Sequence, residues 1–176
     1  MSLVVQKFGG TSVASTAHIQ SVAEKIIQAR QRGQNVVAVV SAMGDNTDRL
    51  AELAKEVNFS SMSAKREIDV LLSTGEQVTI AILSMMLMKL GCQARSFTGG
   101  QVGIVTDDSH TRARILEVQP NKLLETIKQG EVPVVAGFQG VNHQGDITTF
   151  GRGGSDTTAV ALAAVLEADE CQIFTD

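Results

Sequence analysis

The feature that most constrains this chain is the regular alternation of short β-branched apolar runs with segments of helical period along its whole length. Parallel strands are buried on both faces and need a crossover element between them, so this alternation predicts an α/β fold with a largely parallel sheet flanked by helices. Leu3 to Phe8 reads as the first strand. A glycine turn follows, then an amphipathic helix from about Ser15 to Arg32, with Ile19, Val22, Ala23, Ile26 and Ile27 on one face and Gly33 as its stop. Asn35 to Ala42 repeats the strand. A mostly polar segment over 44–65 is expected to hold a short helix around Leu50 to Lys55, and Arg66 to Leu72 another helical turn or two. Glu76 to Leu90 is apolar nearly all round, which leaves two readings open: the most buried helix of the domain, or one that packs on a second subunit of a homo-oligomer. Further strands are expected at Gln93 to Phe97, Gly103 to Thr106, Val132 to Gly137, Ile147 to Phe150 and Gln172 to Thr175, with helices at about Asn121 to Gln129 and Asp156 to Leu166.

Composition narrows the function classes. A length of 176 residues suits one domain, residues 1–176, and 43% hydrophobic residues can bury its core. A net charge of −4, no Trp and no Tyr speak against a nucleic-acid partner, which needs cations and stacking rings. The most apolar run, Val78 to Leu90, contains Thr79, Ser84 and Lys89 and is too short to cross a bilayer, so no membrane role is expected. Cys92 and Cys171 form no C-x-x-C pair, which fits a cytoplasmic protein without disulfides or a thiolate zinc site. His18, His110 and His143 fall apart in segments read as helix or loop and are expected to be exposed, so no protein metal site is expected.

Two glycine loops carry the chemistry. Lys7-Phe8-Gly9-Gly10-Thr11-Ser12 follows the first strand, and Gly151-Arg152-Gly153-Gly154-Ser155-Asp156 precedes an Ala-rich helix. Each joins a Gly-Gly pair to a cation and a hydroxyl, so backbone N–H groups and a full positive charge can meet a phosphate or carboxylate. A tight strand-to-helix turn beside an exposed cation is the competing explanation for one such loop; two in one domain weaken it. G-x-x-x-x-G-K-[ST] is absent, and no G-x-G-x-x-G follows a strand, so any nucleotide is held in another way.

Five motifs then occur in order: Val-Gln-Lys-Phe-Gly-Gly-Thr-Ser at 5–12, Val-Val-Ser-Ala-Met-Gly at 39–44, Ser-Thr-Gly-Glu at 73–76, Ala-Gly-Phe-Gln-Gly at 136–140 and Thr-Phe-Gly-Arg-Gly-Gly-Ser-Asp at 149–156. This series resembles that of the aspartate kinases, in the amino-acid kinase superfamily, and the resemblance runs from Leu3 to the closing Phe174-Thr175-Asp176. It implies phosphoryl transfer from ATP, with Mg²⁺, to the side-chain carboxylate of L-aspartate, giving 4-phospho-L-aspartate on the route to lysine, threonine and methionine.

The resemblance assigns roles that the residue chemistry can carry. Lys7 would stabilise charge on the transferring phosphate, with Asp156 orienting it or the metal. Phe8, Gly9, Gly10, Ser41, Thr175 and Asp176 match ATP-binding positions, with Thr11 and Ser12 as hydroxyl helpers. Glu76 would hold the substrate ammonium; otherwise it is a first-turn acid on the helix dipole. Arg152 suits bidentate capture of the α-carboxylate. Thr47, Phe138, Gly153, Gly154 and Ser155 match substrate-contacting positions, although Ser155 and Asp156 also suit a helix N-cap.

Aspartate kinases continue past Phe-Thr-Asp through strands that complete the nucleotide pocket and through regulatory ACT domains. The resemblance therefore implies a C-terminally truncated catalytic domain carrying the substrate and phosphate-loop part, with a final strand edge open to self-association. Two other functions stay open: a kinase acting on glutamate or acetylglutamate, and a non-catalytic amino-acid-binding module of the same fold.

Overall fold

The computed structural model describes residues 2–57 and 64–175. Five strands, β1 (Leu3–Phe8), β2 (Asn35–Val40), β3 (Ala94–Phe97), β6 (Val132–Ala136) and β9 (Glu170–Phe174), form one parallel sheet in the order β3-β6-β2-β1-β9. The α/β expectation holds.

Alternation along these strands feeds two cores. Val4 and Phe8 of β1 and Val36, Ala38 and Val40 of β2 face α1 (Thr16–Gln31) and α3 (Lys65–Lys89), where Ile19, Val22, Ile26, Ile80, Leu83 and Leu87 close the layer. Val5, Val37 and Val39 face the other way, onto Leu123 of α5 (Asn121–Lys128) and Ala159 and Leu162 of α6 (Gly154–Val165). Each such aliphatic side chain, removed fully from water, contributes roughly 1.5–3 kcal/mol. By the same alternation Lys7 points towards α6, a placement that decides its chemistry.

Several expectations need correction. The segments read separately as Arg66 to Leu72 and Glu76 to Leu90 are one 25-residue helix, α3. Its inward positions Asp69, Ser73, Glu76, Ile80, Leu83 and Leu87 are spaced 4, 3, 4, 3 and 4, so one buried face runs its full length, polar in the first half and apolar in the second. The helix is long and apolar enough to span a bilayer by length and composition, but half of its most apolar window is buried within the fold. Val78, Met85 and Met88 lie exposed on its outer face. The helix expected at Leu50 to Lys55 is longer, α2 (Asn46–Glu56).

The strands expected at Gly103 to Thr106 and Ile147 to Phe150 do not join the parallel sheet. They are β4 (Ile104–Thr106) and β8 (Ile147–Thr149) of a second, mixed sheet, ordered β5-β4-β7-β8 with β5 (Ile115–Val118) and β7 (Gln139–Val141). The pairs β4/β5 and β7/β8 are antiparallel and β4/β7 is parallel. A one-turn helix, α4 (Gly99–Val102), links the two sheets under a capping box made by Thr98 and Gln101.

Candidate active site

The site forms where the parallel strands end. Lys7 is the penultimate residue of β1, Ser41 follows β2, Gly137 and Phe138 follow β6, and α6 begins at Gly154, so residues from opposite ends of the chain meet at the carboxyl edge of the sheet. Lys7, Ser41 and Phe138 line a cavity of about 410 Å³ with Thr47, Glu76, Phe150 and the Gly151 to Asp156 loop.

Lys7 is 7% exposed, and its Nζ lies 2.8 Å from Asp156 Oδ1. Ser41 Oγ donates to Ser155 Oγ at 2.9 Å, joining the end of β2 to the first turn of α6. Gly137 makes that approach possible, because a Cβ there would sit 2.7 Å from Ser155 Oγ. Phe138 adopts φ +72, a left-handed conformation costly for an aromatic residue. It is held there by its N–H donating to Thr158 Oγ1 and its carbonyl accepting from the Phe150 N–H.

Glu76 does not open a helix, as expected from the sequence; it lies midway along α3, 2% exposed. Oε1 accepts from the Ala42 N–H at 3.1 Å, while buried Oε2 has no hydrogen-bond partner among the described residues. Burial pushes the carboxyl up from 4.5 to about 7. Gly75 brings the helix this close to the loop after β2, since a Cβ there would lie 2.8 Å from the Ala42 Cβ. Across the cavity, Arg152 is exposed and has no ion-pair partner among the described residues. The pocket thus offers a buried carboxylate oxygen and a guanidinium to one small molecule, with the Lys7 ammonium beside them.

Of the residues singled out from sequence, Lys7, Ser41, Thr47, Glu76, Phe138, Arg152, Gly153, Gly154, Ser155 and Asp156 come together around this cavity. Phe8 does not line it: its ring is fully buried and stacks on Phe174, with centroids 4.9 Å apart. Gly9 and Gly10 lie in the turn beyond. The Gly9 N–H reaches the Phe174 carbonyl at 3.4 Å, and a Cβ on Gly10 would meet the Gly44 carbonyl oxygen at 2.8 Å. Gly10 therefore serves first to let the β1 and β2 loops touch. Thr175 is exposed just past β9, and Asp176 lies outside the described residues.

Ser155 and Asp156 do not cap α6. Gly153, at φ +75, occupies the cap position, which puts both side chains inside the first turn and frees them to face the cavity. His110 is not a lone exposed histidine, because its Nδ1 lies 2.6 Å from the fully buried Asp69. Phe150 and Gly151 line the cavity without having been singled out individually, though both sit in the Thr-Phe-Gly-Arg motif. Among the described residues no group of three or more His, Cys, Asp or Glu side chains is placed to hold a metal ion.

A parallel α/β domain with glycine-loop turns and a charge-lined pocket at its carboxyl edge defines a small-molecule-binding class. The sequence narrows that class, because the model of the Amino acid kinase family matches residues 2–176, and the chain belongs to that family. It is 57% identical over 176 residues to an aspartate kinase of Pseudomonas fluorescens, covering 100% of this chain and 43% of that protein. It is 54% identical to an aspartokinase of Geobacillus stearothermophilus, with the same coverage. The chain spans less than half the length of these relatives. Among solved structures, aspartate kinase from Synechocystis superposes with TM-score 0.84 at 50% identity, over 99% of this chain and 28% of that one. E. coli aspartokinase III in complex with aspartate and ADP gives 0.85 at 25% identity, over 99% and 49%.

Proposed function

We propose that this chain supplies the amino-acid-binding and phosphate-facing part of an aspartate kinase, which transfers the γ-phosphoryl group of ATP to the side-chain carboxylate of L-aspartate. The single observation that carries the reading is the unpartnered buried oxygen of Glu76 in a cavity shared with Arg152. An ammonium satisfies the first and an α-carboxylate the second, which is the chemistry of a free amino acid and not of an acetylated one.

A side-chain carboxylate oxygen of aspartate attacks the γ-phosphorus, a new P–O bond forms, and the bond to the β–γ bridging oxygen breaks to release ADP. Lys7 would hold its ammonium against the charge spread over the transferring oxygens, kept in place by Asp156. A magnesium ion carried in on the nucleotide would find Asp156 as the carboxylate beside Lys7, and it needs few protein ligands because it keeps most of its waters. Bound there, Mg²⁺ would supply charge neutralisation to the phosphates. E. coli aspartokinase III forms a complex with aspartate and ADP, which supports aspartate and an adenine nucleotide as the ligands here.

The test is ADP formation from Mg-ATP with aspartate, glutamate or acetylglutamate, measured on this chain and on a version extended to the length of its relatives. Turnover confined to aspartate is expected. Preference for glutamate overturns the substrate, and aspartate binding without turnover in either form leaves a binding module.

A further inference from the structure

The face of α3 that presents Glu76 also grips the hairpin leading to Arg152. Arg66, Asp69, Ser73 and Glu76 are spaced 3, 4 and 3, so they share one side of the helix. Arg66 reaches Asp146 in the β7–β8 turn at 2.7–2.8 Å. The Ser73 carbonyl accepts from buried Gln139 of β7 at 3.0 Å. Between them, Asp69 is fully buried and accepts from the hydroxyl of Thr149, the last residue of β8. Three residues further along the chain is Arg152.

The same carboxylate accepts from the Thr111 N–H, 3.1 Å from each oxygen, and lies 2.6 Å from His110 Nδ1. Thr111 is held in a left-handed conformation, φ +69, and the loop it belongs to closes on β8 where the Ala113 N–H meets the Thr149 carbonyl. Asp69 thus joins three segments at the root of the Arg152 loop: α3, the loop carrying His110 and Thr111, and the end of β8.

We infer that Asp69 is a positioning residue: through Thr149 it sets where Arg152 stands relative to Glu76, and so the spacing at which the pocket accepts the two charged ends of an amino acid. This rests on the reading of the cavity as an amino-acid site. One rigid helix carries both the ammonium-binding acid and the anchor of the carboxylate-binding arm. Displacement of a binding group by about 1 Å is enough to cost on the order of a hundredfold, so release of this anchor acts at a distance.

The experiment is calorimetric and NMR titration of the chain with L-aspartate for the wild type, Asp69→Ala, Asp69→Asn, Thr149→Val, Arg152→Ala and the double variant Asp69→Ala/Arg152→Ala. Asp69→Ala is expected to weaken binding by about tenfold to a hundredfold. Asp69→Asn keeps an acceptor for Thr149 and should recover most of that loss. The loss should vanish in the Arg152→Ala background, whereas a merely structural defect would persist there. If Asp69→Ala does not fold, Thr149→Val, which removes only the hydroxyl link, decides the question by the same cycle with Arg152→Ala. Wild-type affinity in the Asp69 and Thr149 variants, or a loss that adds fully to that of Arg152→Ala, overturns the positioning role. No aspartate binding by the wild type, while Arg152→Ala and Asp69→Asn remain folded, overturns the amino-acid reading and this inference with it.

Discussion

Lys7 and Asp156, 149 positions apart, meet as an ion pair of 2.8 Å that ties the end of β1 to the first turn of α6. Lys7 is almost wholly buried and Asp156 about half exposed, so the pair has one face towards the cavity. In an assay on a catalytically competent form, Lys7→Ala is expected to lower kcat by about a hundredfold or more with little change in the aspartate KM, and Asp156→Asn to lower it less. Unchanged kcat in Lys7→Ala would remove Lys7 from the transition state.

Glu76 should give the protein a pH signature. Burial raises its carboxyl to about 7, and pairing with an ammonium requires the ionised form, so aspartate affinity should rise with pH up to roughly neutrality and flatten above it. Between pH 6 and pH 8 the gain is expected to approach tenfold, and Glu76→Gln should bind weakly without that slope. Titrations at several pH values decide it; a flat wild-type profile would remove Glu76 from the ammonium site.

The same group should shape stability without ligand. A folded-state value raised from 4.5 to about 7 favours folding fully below about 4.5, and the advantage is lost as pH climbs through 7. The wild type should therefore lose on the order of 3 kcal/mol relative to Glu76→Gln over that window. Denaturant melts of both proteins at pH 4.5 and 8 measure the difference.

Arg152 is exposed and without an ion-pair partner among the described residues, so its removal should leave the fold intact. Arg152→Ala is expected to raise the aspartate KM by about tenfold to a hundredfold with kcat little changed, and Arg152→Lys to recover only part, since a point charge lacks the planar fork. A large kcat loss at saturating aspartate would move Arg152 from binding to chemistry.

Gly137 tests the packing behind the pocket. An added Cβ would lie 2.7 Å from Ser155 Oγ, 2.8 Å from its Cβ and 3.0 Å from its Cα, so backbone as well as side chain must yield. Gly137→Ala is expected to cost about 1–3 kcal/mol in urea unfolding, with a parallel loss of aspartate affinity. Gly145→Ala, at φ +85 but with nothing within 4 Å, separates backbone strain from this clash.

Much of the site was legible because its residues sit in short contiguous motifs that end strands, and strand ends of a parallel sheet converge whatever lies between them. What stayed hidden depends on faces and distant partners. The inner stripe of α3 changes from Asp69, Ser73 and Glu76 to Ile80, Leu83 and Leu87, so a reading by hydrophobic period alone breaks one helix in two and puts Glu76 at a false beginning. The second sheet was missed as a sheet because β4, β7 and β8 are three residues each, too short to show alternation. Asp69 carried no local signal, since its donors lie about 40 and 80 residues away. Phe8 shows how a motif and a strand pattern divide one residue: its place in a glycine motif puts its main chain beside the turn, while alternation along β1 turns its ring into the core.

Phe138, twisted into a left-handed backbone, and Glu76, an acid buried beneath the sheet edge, are both states that an unliganded fold would shed if free to do so. The pocket therefore holds stored cost, and selection for heat tolerance alone would act on it. Variants such as Phe138→Gly or Glu76→Gln would emerge from such a screen as hardier proteins with a blunted grip on their ligand. Improving this domain for durability means holding those two positions fixed and looking for gains on the solvent-facing side of α3, where Val78, Met85 and Met88 stand clear of the cavity.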